Sequence, residues 1–188
     1  MELRVAREVE HIREMIIRMA TLVEEAVESS VASFVSIDKA KAQTVVAHES
    51  EINTMEMEID KAVFECLALK APVARDLRLL FSMQKMNKDL ERMGDHAVNI
   101  AQAAVNCFGL PTPESGHDIA IMAKIARQML SDAITCFVKY DTQLALTVLE
   151  RDDQVDDLNR AMTREVIEMV RKDVTTIESA LELLGVSK

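Results

Sequence analysis

Apolar residues recur every three to four positions along almost the whole chain. The runs between breaks predict long amphipathic helices at roughly 4–36, 39–70, 72–107, 117–140 and 142–172, with a sixth starting at Thr175-Thr176. In the third run Leu79, Met83, Met86, Leu90, Met93, Ala97, Ile100 and Ala104 step by four and three, the seam of a helix packed lengthwise against others. Ile52, Met55, Ile59, Ala62, Cys66 and Leu69 form the matching seam of the second. Asp38 and Asp141 stand where a side-chain oxygen can accept the unpaired amide hydrogens of a first turn. Pro72, which has no amide hydrogen to lose, fits the opening turn of the third helix.

The chain also repeats itself. A shift of 103 positions lays Phe34-Val35 on Phe137-Val138, Asp38 on Asp141, Ala42 on Ala145, Thr44-Val45 on Thr147-Val148 and Ile52 on Val155 without a gap. A duplicated three-helix unit follows. Gly109, Pro111, Pro113 and Gly116 crowd into the one stretch that cannot continue a helix, so the expected divisions are a first repeat at 1–108, a linker at 109–116 and a second repeat at 117–188. The same shift carries the counterparts of Glu91 and Asp95 beyond Lys188, so the second repeat is expected to be truncated in its last helix. The expected fold class is all-α: an elongated antiparallel helical bundle of two three-helix units.

Composition narrows the functions open to such a bundle. Of 188 residues 49% are hydrophobic, yet there is no Trp, so Leu, Ile, Val, Ala and twelve Met must fill the core. A net charge of −10 without a Lys/Arg stripe argues against nucleic acid and against an anionic membrane surface, and favours cations and basic protein patches. Cys66, Cys107 and Cys136 are widely spaced in apolar helical context, which predicts reduced core thiols. With no leader and no membrane-length apolar run, a cytoplasmic protein without membrane insertion is expected. A phosphate-cradling glycine loop, a nucleophile elbow and a Cys/His pair are all missing, so no enzyme is expected.

The candidate chemistry lies in acidic stripes beside the seams. Glu91 and Asp95 are one turn apart on an edge of the third helix, within the stripe Gln84, Lys88, Glu91, Asp95, Asn99 and Gln102. Glu49, Asn53, Glu56 and Asp60 form a similar stripe on the second helix, and antiparallel packing can bring the two together. Carboxylate and amide oxygens without His or Cys suit a divalent or trivalent hard cation, Mg, Mn or Fe, and disfavour zinc. Lys88 and Arg92 are placed to neutralise the acids when metal is absent. Gly94, costing about 1 kcal/mol relative to Ala inside a helix, predicts a close approach there or room for an ion. Two other readings remain: a metal-free structural helical adaptor, and a ferritin-like di-iron carboxylate protein built on Glu8–His11 and Glu114–His117.

Pro72, the run Arg75-Asp76-Leu77-Arg78 and the run Leu90-Glu91-Arg92-Met93-Gly94-Asp95, held at one fixed separation, resemble the signature of the PhoU family of bacterial phosphate-uptake regulators. The resemblance covers the whole chain and implies that both units are PhoU-type repeats. It also implies paired Glu/Asp-x-x-x-Asp metal motifs, which in some members hold multinuclear iron. Glu91 to Asp95 matches that motif in full, and so does Asp152 to Asp156 in the second repeat. Glu49 to Asn53 departs from it, one charge short, which favours one or two divalent ions over a cluster. The resemblance further implies a homodimer that negatively regulates phosphate uptake and phosphate-starvation signalling. It would act by contact, between the ATPase subunit of the phosphate ABC transporter and a sensor histidine kinase.

Overall fold

The computed structural model describes residues 2–110 and 116–187, and all the regular structure among them is helical. In chain order the elements are α1 (Glu2–Ser36), α2 (Lys39–Lys70), α3 (Ala74–Asn106), α4 (Gly116–Lys139), α5 (Thr142–Lys172), a single 3-10 turn at Val174–Thr176, and α6 (Ile177–Val186). The fold class is all-α, as the periodicity requires, and the ends of α2 and α5 fall where the pattern places them. Of the expected linker, residues 111–115 lie outside the described residues, while Gly116 already opens α4.

The duplication reappears bond by bond at the first turn of each repeat. Between α1 and α2 the amide of Asp38 donates to the Ser33 carbonyl at 2.9 Å, and that of Ala42 to the Asp38 carbonyl at 3.0 Å. Between α4 and α5 the counterparts Asp141 and Ala145 donate to Cys136 and Asp141 at 3.2 and 3.3 Å. Each aspartate also caps the helix it precedes: Asp38 Oδ1 accepts from the Lys41 amide, and Asp141 Oδ1 from those of Gln143 and Leu144, all at 3.0 Å. The residue before each cap is left-handed, Ile37 at φ +50° and Tyr140 at φ +56°. For side chains of that bulk this costs roughly 1 kcal/mol or more, which the cap and the helix-end bonds offset.

The third helix opens later than Pro72 implies. Ala71 and Ala74 both take φ +46°, so the reversal out of α2 occupies 71–73 and α3 begins at Ala74, with Pro72 buried ahead of it. The α3 seam is also rotated from the expected one. Its buried stripe is Leu80, Met83, Asn87, Leu90, Gly94, Ala97, Ala101 and Ala104, whereas Leu79, Met86, Met93 and Ile100 lie half-buried on its shoulder. Counting hydrophobic residues skipped Asn87 and Gly94, which belong to the centre of the stripe. At the end of α2, Leu69 is 76% exposed, not part of the seam.

Two compact units organise these helices. One comprises the chain up to Val23 and from His48 to Asp95; its fully buried side chains include Ile12, Ile16, Met19, Ile59, Leu80, Met83 and Asn87. The other comprises residues 24–47 and everything from His96 onward. Its core joins Phe34, Ala42 and Val45 with Ala101, Ala104 and Cys107 of α3, Ile119 and Met122 of α4, Met162 and Val166 of α5, and Ala180 and Leu183 of α6. Burial pushes the Cys66 and Cys107 thiols up, which keeps them protonated and poorly nucleophilic.

α4 and α5 are joined by a half-buried ion pair in which the Arg151 guanidinium bonds the Asp132 carboxylate, with Gln128 Nε2 donating to the same group at 3.0 Å. Arg151 and Gln128 together hold the Asp132 carboxyl below its ordinary range. A depressed carboxyl contributes stability above its unfolded value and loses it as pH falls through the lowered one. Asp132→Asn is therefore expected to be less stable than the parent at neutral pH and to approach it as acid protonates the parent's carboxyl. Thermal melts at neutral and acid pH check this, and a constant gap between the two proteins would contradict it.

Candidate metal-binding edge of α2 and α3

The α2 and α3 stripes meet within the first unit at three places along the antiparallel pair. Gln84 Nε2 donates to Asp60 Oδ1. Three residues on, Asn87 Nδ2 donates to the Glu56 carbonyl at 3.0 Å. Further along α3, a Cβ built on Gly94 would lie 3.1 Å from both Cδ1 and Cγ2 of Ile52. Asp60, Glu56 and Ile52 on one helix thus answer Gln84, Asn87 and Gly94 on the other, the convergence that helix spacing alone allowed.

Lys88 occupies the middle of this edge. Its Nζ lies 2.9 Å from Glu91 Oε2. The hydrogen bond to Glu91 raises its pKa above the ordinary lysine value, and the charges of Glu91, Glu56 and Asp95 add to the effect. Three of the acids expected to bind metal therefore act on one cation, the chain's own ammonium. Arg92, expected to share this task, is exposed, with no acid within ion-pair distance among the described residues.

The remaining candidates are placed less closely. Glu91 keeps only 19% of its side chain exposed, whereas Asp95 and Asp60 are open to solvent. Glu49 and Asn53 are half-buried on the preceding turns of α2. In the second unit Asp152 and Asp156 are exposed on α5, and Asp156 pairs with Arg160 at 3.5 Å. Among the described residues no three His, Cys, Asp or Glu groups come close enough together to hold a metal ion. The donor chemistry of the α2–α3 edge nevertheless fits a hard cation: its side chains offer oxygen only, and the fully buried Asn87 Oδ1 has no hydrogen-bond partner. Asn87 is the residue that hydrophobic counting missed; an amide interrupting an apolar seam was its only signal. Of the ferritin-like pairs, Glu8 faces Lys70 at 3.7 Å, and Glu114 lies outside the described residues.

Gly94 marks a close approach of two helices. Any side chain there must displace Ile52, which is buried. Gly94→Val is expected to destabilise the protein by about 2 kcal/mol, since overpacking and the stiff branched side chain act together. Urea unfolding checks this, and an unchanged midpoint would mean that Ile52 moves aside freely.

A duplicated three-helix unit with an acidic, oxygen-only edge on its second and third helices defines a class of all-α repeat proteins. The chain belongs to the PhoU family, for the PhoU domain matches residues 16–104 and 119–188, one segment in each repeat. It is similar to the phosphate-specific transport system accessory protein PhoU homolog of Aquifex aeolicus, 34% identical over 97% of this chain and 82% of that protein. The homologue of the same description from Pseudomonas putida is 33% identical over 94% of this chain and 70% of its own length. Among solved structures, PhoU from Pseudomonas aeruginosa superposes with a TM-score of 0.92 at 30% identity, covering 97% of this chain and 88% of that one. The phosphate transport system regulatory protein PhoU from Streptococcus pneumoniae shares the fold, with a TM-score of 0.85.

Proposed function

We propose that this protein is an accessory regulator of phosphate transport. Its relatives are described as phosphate-specific transport system accessory proteins, and among the described residues no helix is long and apolar enough to cross a membrane. In this reading it works in the cytoplasm as a homodimer, without enzymatic activity. It is a metal-binding adaptor between the ATPase subunit of the phosphate ABC transporter and a sensor histidine kinase, and it holds phosphate uptake and the starvation response down when phosphate is plentiful.

The observation that carries the metal part is the pairing of Lys88 with Glu91 at 2.9 Å, where the charges of Glu56 and Asp95 act on the same ammonium. An edge whose acids already attract the chain's own ammonium can exchange it for a hard metal ion, with Lys88 swinging into solvent. Glu91, Asp95 and Glu56 would hold the ion, with Glu49, Asn53 and Asp60 flanking them. Asp152 and Asp156 would form the corresponding edge of the second repeat. A bound ion supplies fixed positive charge on an otherwise acidic surface, and so alters which partner surfaces the edge attracts. Multinuclear iron remains one form that the cation could take. A metal-free adaptor is the second reading, favoured by the same lysine, since an internal ammonium already satisfies Glu91.

Elemental analysis of protein purified without chelators, beside a Glu91→Ala/Asp95→Ala variant of matched circular dichroism, tests the metal. Stoichiometric magnesium, manganese or iron is expected in the parent and its loss in the variant. Equal, negligible metal in both would leave the metal-free adaptor. Pull-down of the transporter ATPase subunit tests the adaptor itself, and its failure with both metal-loaded and stripped protein would remove that role.

A further inference from the structure

The first unit carries a basic stripe that the overall charge conceals. On α3, Arg78, Phe81, Lys85, Lys88 and Arg92 step by three and four, so they share one face of the helix, turned away from the buried stripe of Leu80, Met83, Asn87, Leu90 and Gly94. All five are exposed. Lys88 is bound to Glu91, whereas Arg78, Lys85 and Arg92 have no acid within ion-pair distance among the described residues. The expectation that the chain holds no Lys/Arg stripe fails here, because cations dispersed at seven-residue steps are gathered only by the helix. The groove beside the stripe is lined by exposed apolar side chains. The bond from Gln84 to Asp60 sets the level of α3 against α2; Phe81 lies three residues before Gln84 and Phe64 four after Asp60, so the two come level across the antiparallel pair. Phe64 is 71% exposed and Phe81 54%, and Met57, two turns before Phe64 on the same side of α2, is 61% exposed. Two of the chain's five Phe thus stand in solvent, although a chain with no Trp and one Tyr is short of aromatics for its core.

We propose that this outer α2–α3 groove docks one helix of a partner protein that carries Asp or Glu at seven-residue steps, opposite Arg78, Lys85 and Arg92, and apolar residues between them, against Phe81, Phe64 and Met57. A helix lying along α3 rises at the same rate as α3, so charges that meet cations seven residues apart must themselves recur every seven. The groove is not the seat of a helix of its own repeat. α1 already fills the inner side, where its Ile12, Ile16 and Met19 are fully buried in one unit with Ile59, Leu80 and Met83 of α2 and α3. A broad polyanion fits worse than one helix, because exposed acids border the groove: Glu58 and Glu65 on α2, Asp89 and Asp95 on α3. An anionic membrane or a nucleic-acid backbone would meet those acids, whereas a single helix about 10 Å across covers only the groove. Two copies joined symmetrically through this groove would set the same cations against each other. The inference uses no bound metal and no named partner, so it is independent of the reading above.

The test uses the whole chain in EDTA and the fluorescence anisotropy of a labelled helical peptide of about three heptads, with Glu at seven-residue steps and Leu at the packing positions between them. A matched peptide with Gln in place of each Glu is the comparison. Saturable binding of the Glu peptide is expected, at least about tenfold tighter than the Gln peptide at low salt, with the difference fading at high salt. Arg78→Glu/Lys85→Glu should weaken the Glu peptide by ~10-fold or more and the Gln peptide far less. Phe81→Ala should weaken both by about fivefold, since it removes an apolar anchor and no charge; it stands in if the double variant fails to fold. Lys139→Glu/Lys172→Glu, an equal change of net charge at exposed lysines of the second unit, should shift neither by more than about twofold. The proposal is overturned if the Glu peptide does not saturate, if the two peptides bind equally at low salt, or if natively folded Arg78→Glu/Lys85→Glu or Phe81→Ala binds as the parent does. It is equally overturned if phosphatidylserine vesicles or duplex DNA bind through Arg78 and Lys85 while the peptide does not, or if light scattering shows a dimer that the double variant dissolves.

Discussion

Ile59→Ala should lower the unfolding free energy by about 3 kcal/mol, with a drop in melting temperature of roughly 6–12 °C. Ile59 is fully buried in the unit that contains the α2–α3 edge. Truncating it removes three carbons from a packed interior, and the loss combines the transfer free energy of those atoms with the cavity they leave. Phe64, five residues on in α2, is the internal control: although larger, it is 71% exposed, and Phe64→Ala should stay within about 0.5 kcal/mol of the parent. Urea titration of both variants checks the pair. Equal losses would mean that Phe64 is covered in solution, and equal stabilities would mean that the α2 seam is misassigned.

Asn87→Leu is expected to act in the opposite direction and to stabilise the protein by about 1–2 kcal/mol. Asn87 is fully buried, its Nδ2 donates to the Glu56 carbonyl at 3.0 Å, and its Oδ1 has no partner. A half-satisfied amide in an apolar seam costs more than a leucine of similar reach. Its retention fits a role in register, because the bond to Glu56 sets which acids of α2 face Lys88 and Glu91. The more stable variant should therefore hold metal less well in the elemental analysis, if the edge binds metal. A loss of stability instead would show that the amide is fully satisfied, as an internal water bonded to Oδ1 would achieve.

The helices, their caps and the duplication were legible because each is a local property. Asp38 and Asp141 signal helix starts through the unpaired amides that follow them, and the shift of 103 positions shows the repeat directly. The α3 seam was read one step away from its true centre. Two adjacent stripes, one through Leu79 and Met86 and the other through Leu80 and Asn87, share Met83 and Leu90, and hydropathy prefers the one without an amide. The turn at Ala71–Val73 was likewise misread, since nothing in two alanines announces a positive φ. Among the site residues, Glu91 and Asp95 follow from spacing on one helix. That Lys88 is the cation they share with Glu56 depends on the second helix.

By itself the sequence determined that the chain forms long helices, that a three-helix unit occurs twice, and that acids and no soft ligands line the edges of the second and third helices. These follow from periodicity, capping and composition, which neighbouring residues settle among themselves. Only the tertiary structure decided which of two overlapping stripes on α3 faces the core, that Gly94 admits Ile52, and that Asn87 reaches the Glu56 carbonyl. Each of these depends on the rotation and register of one helix against another, and that is fixed by the fit of side chains distant in the chain.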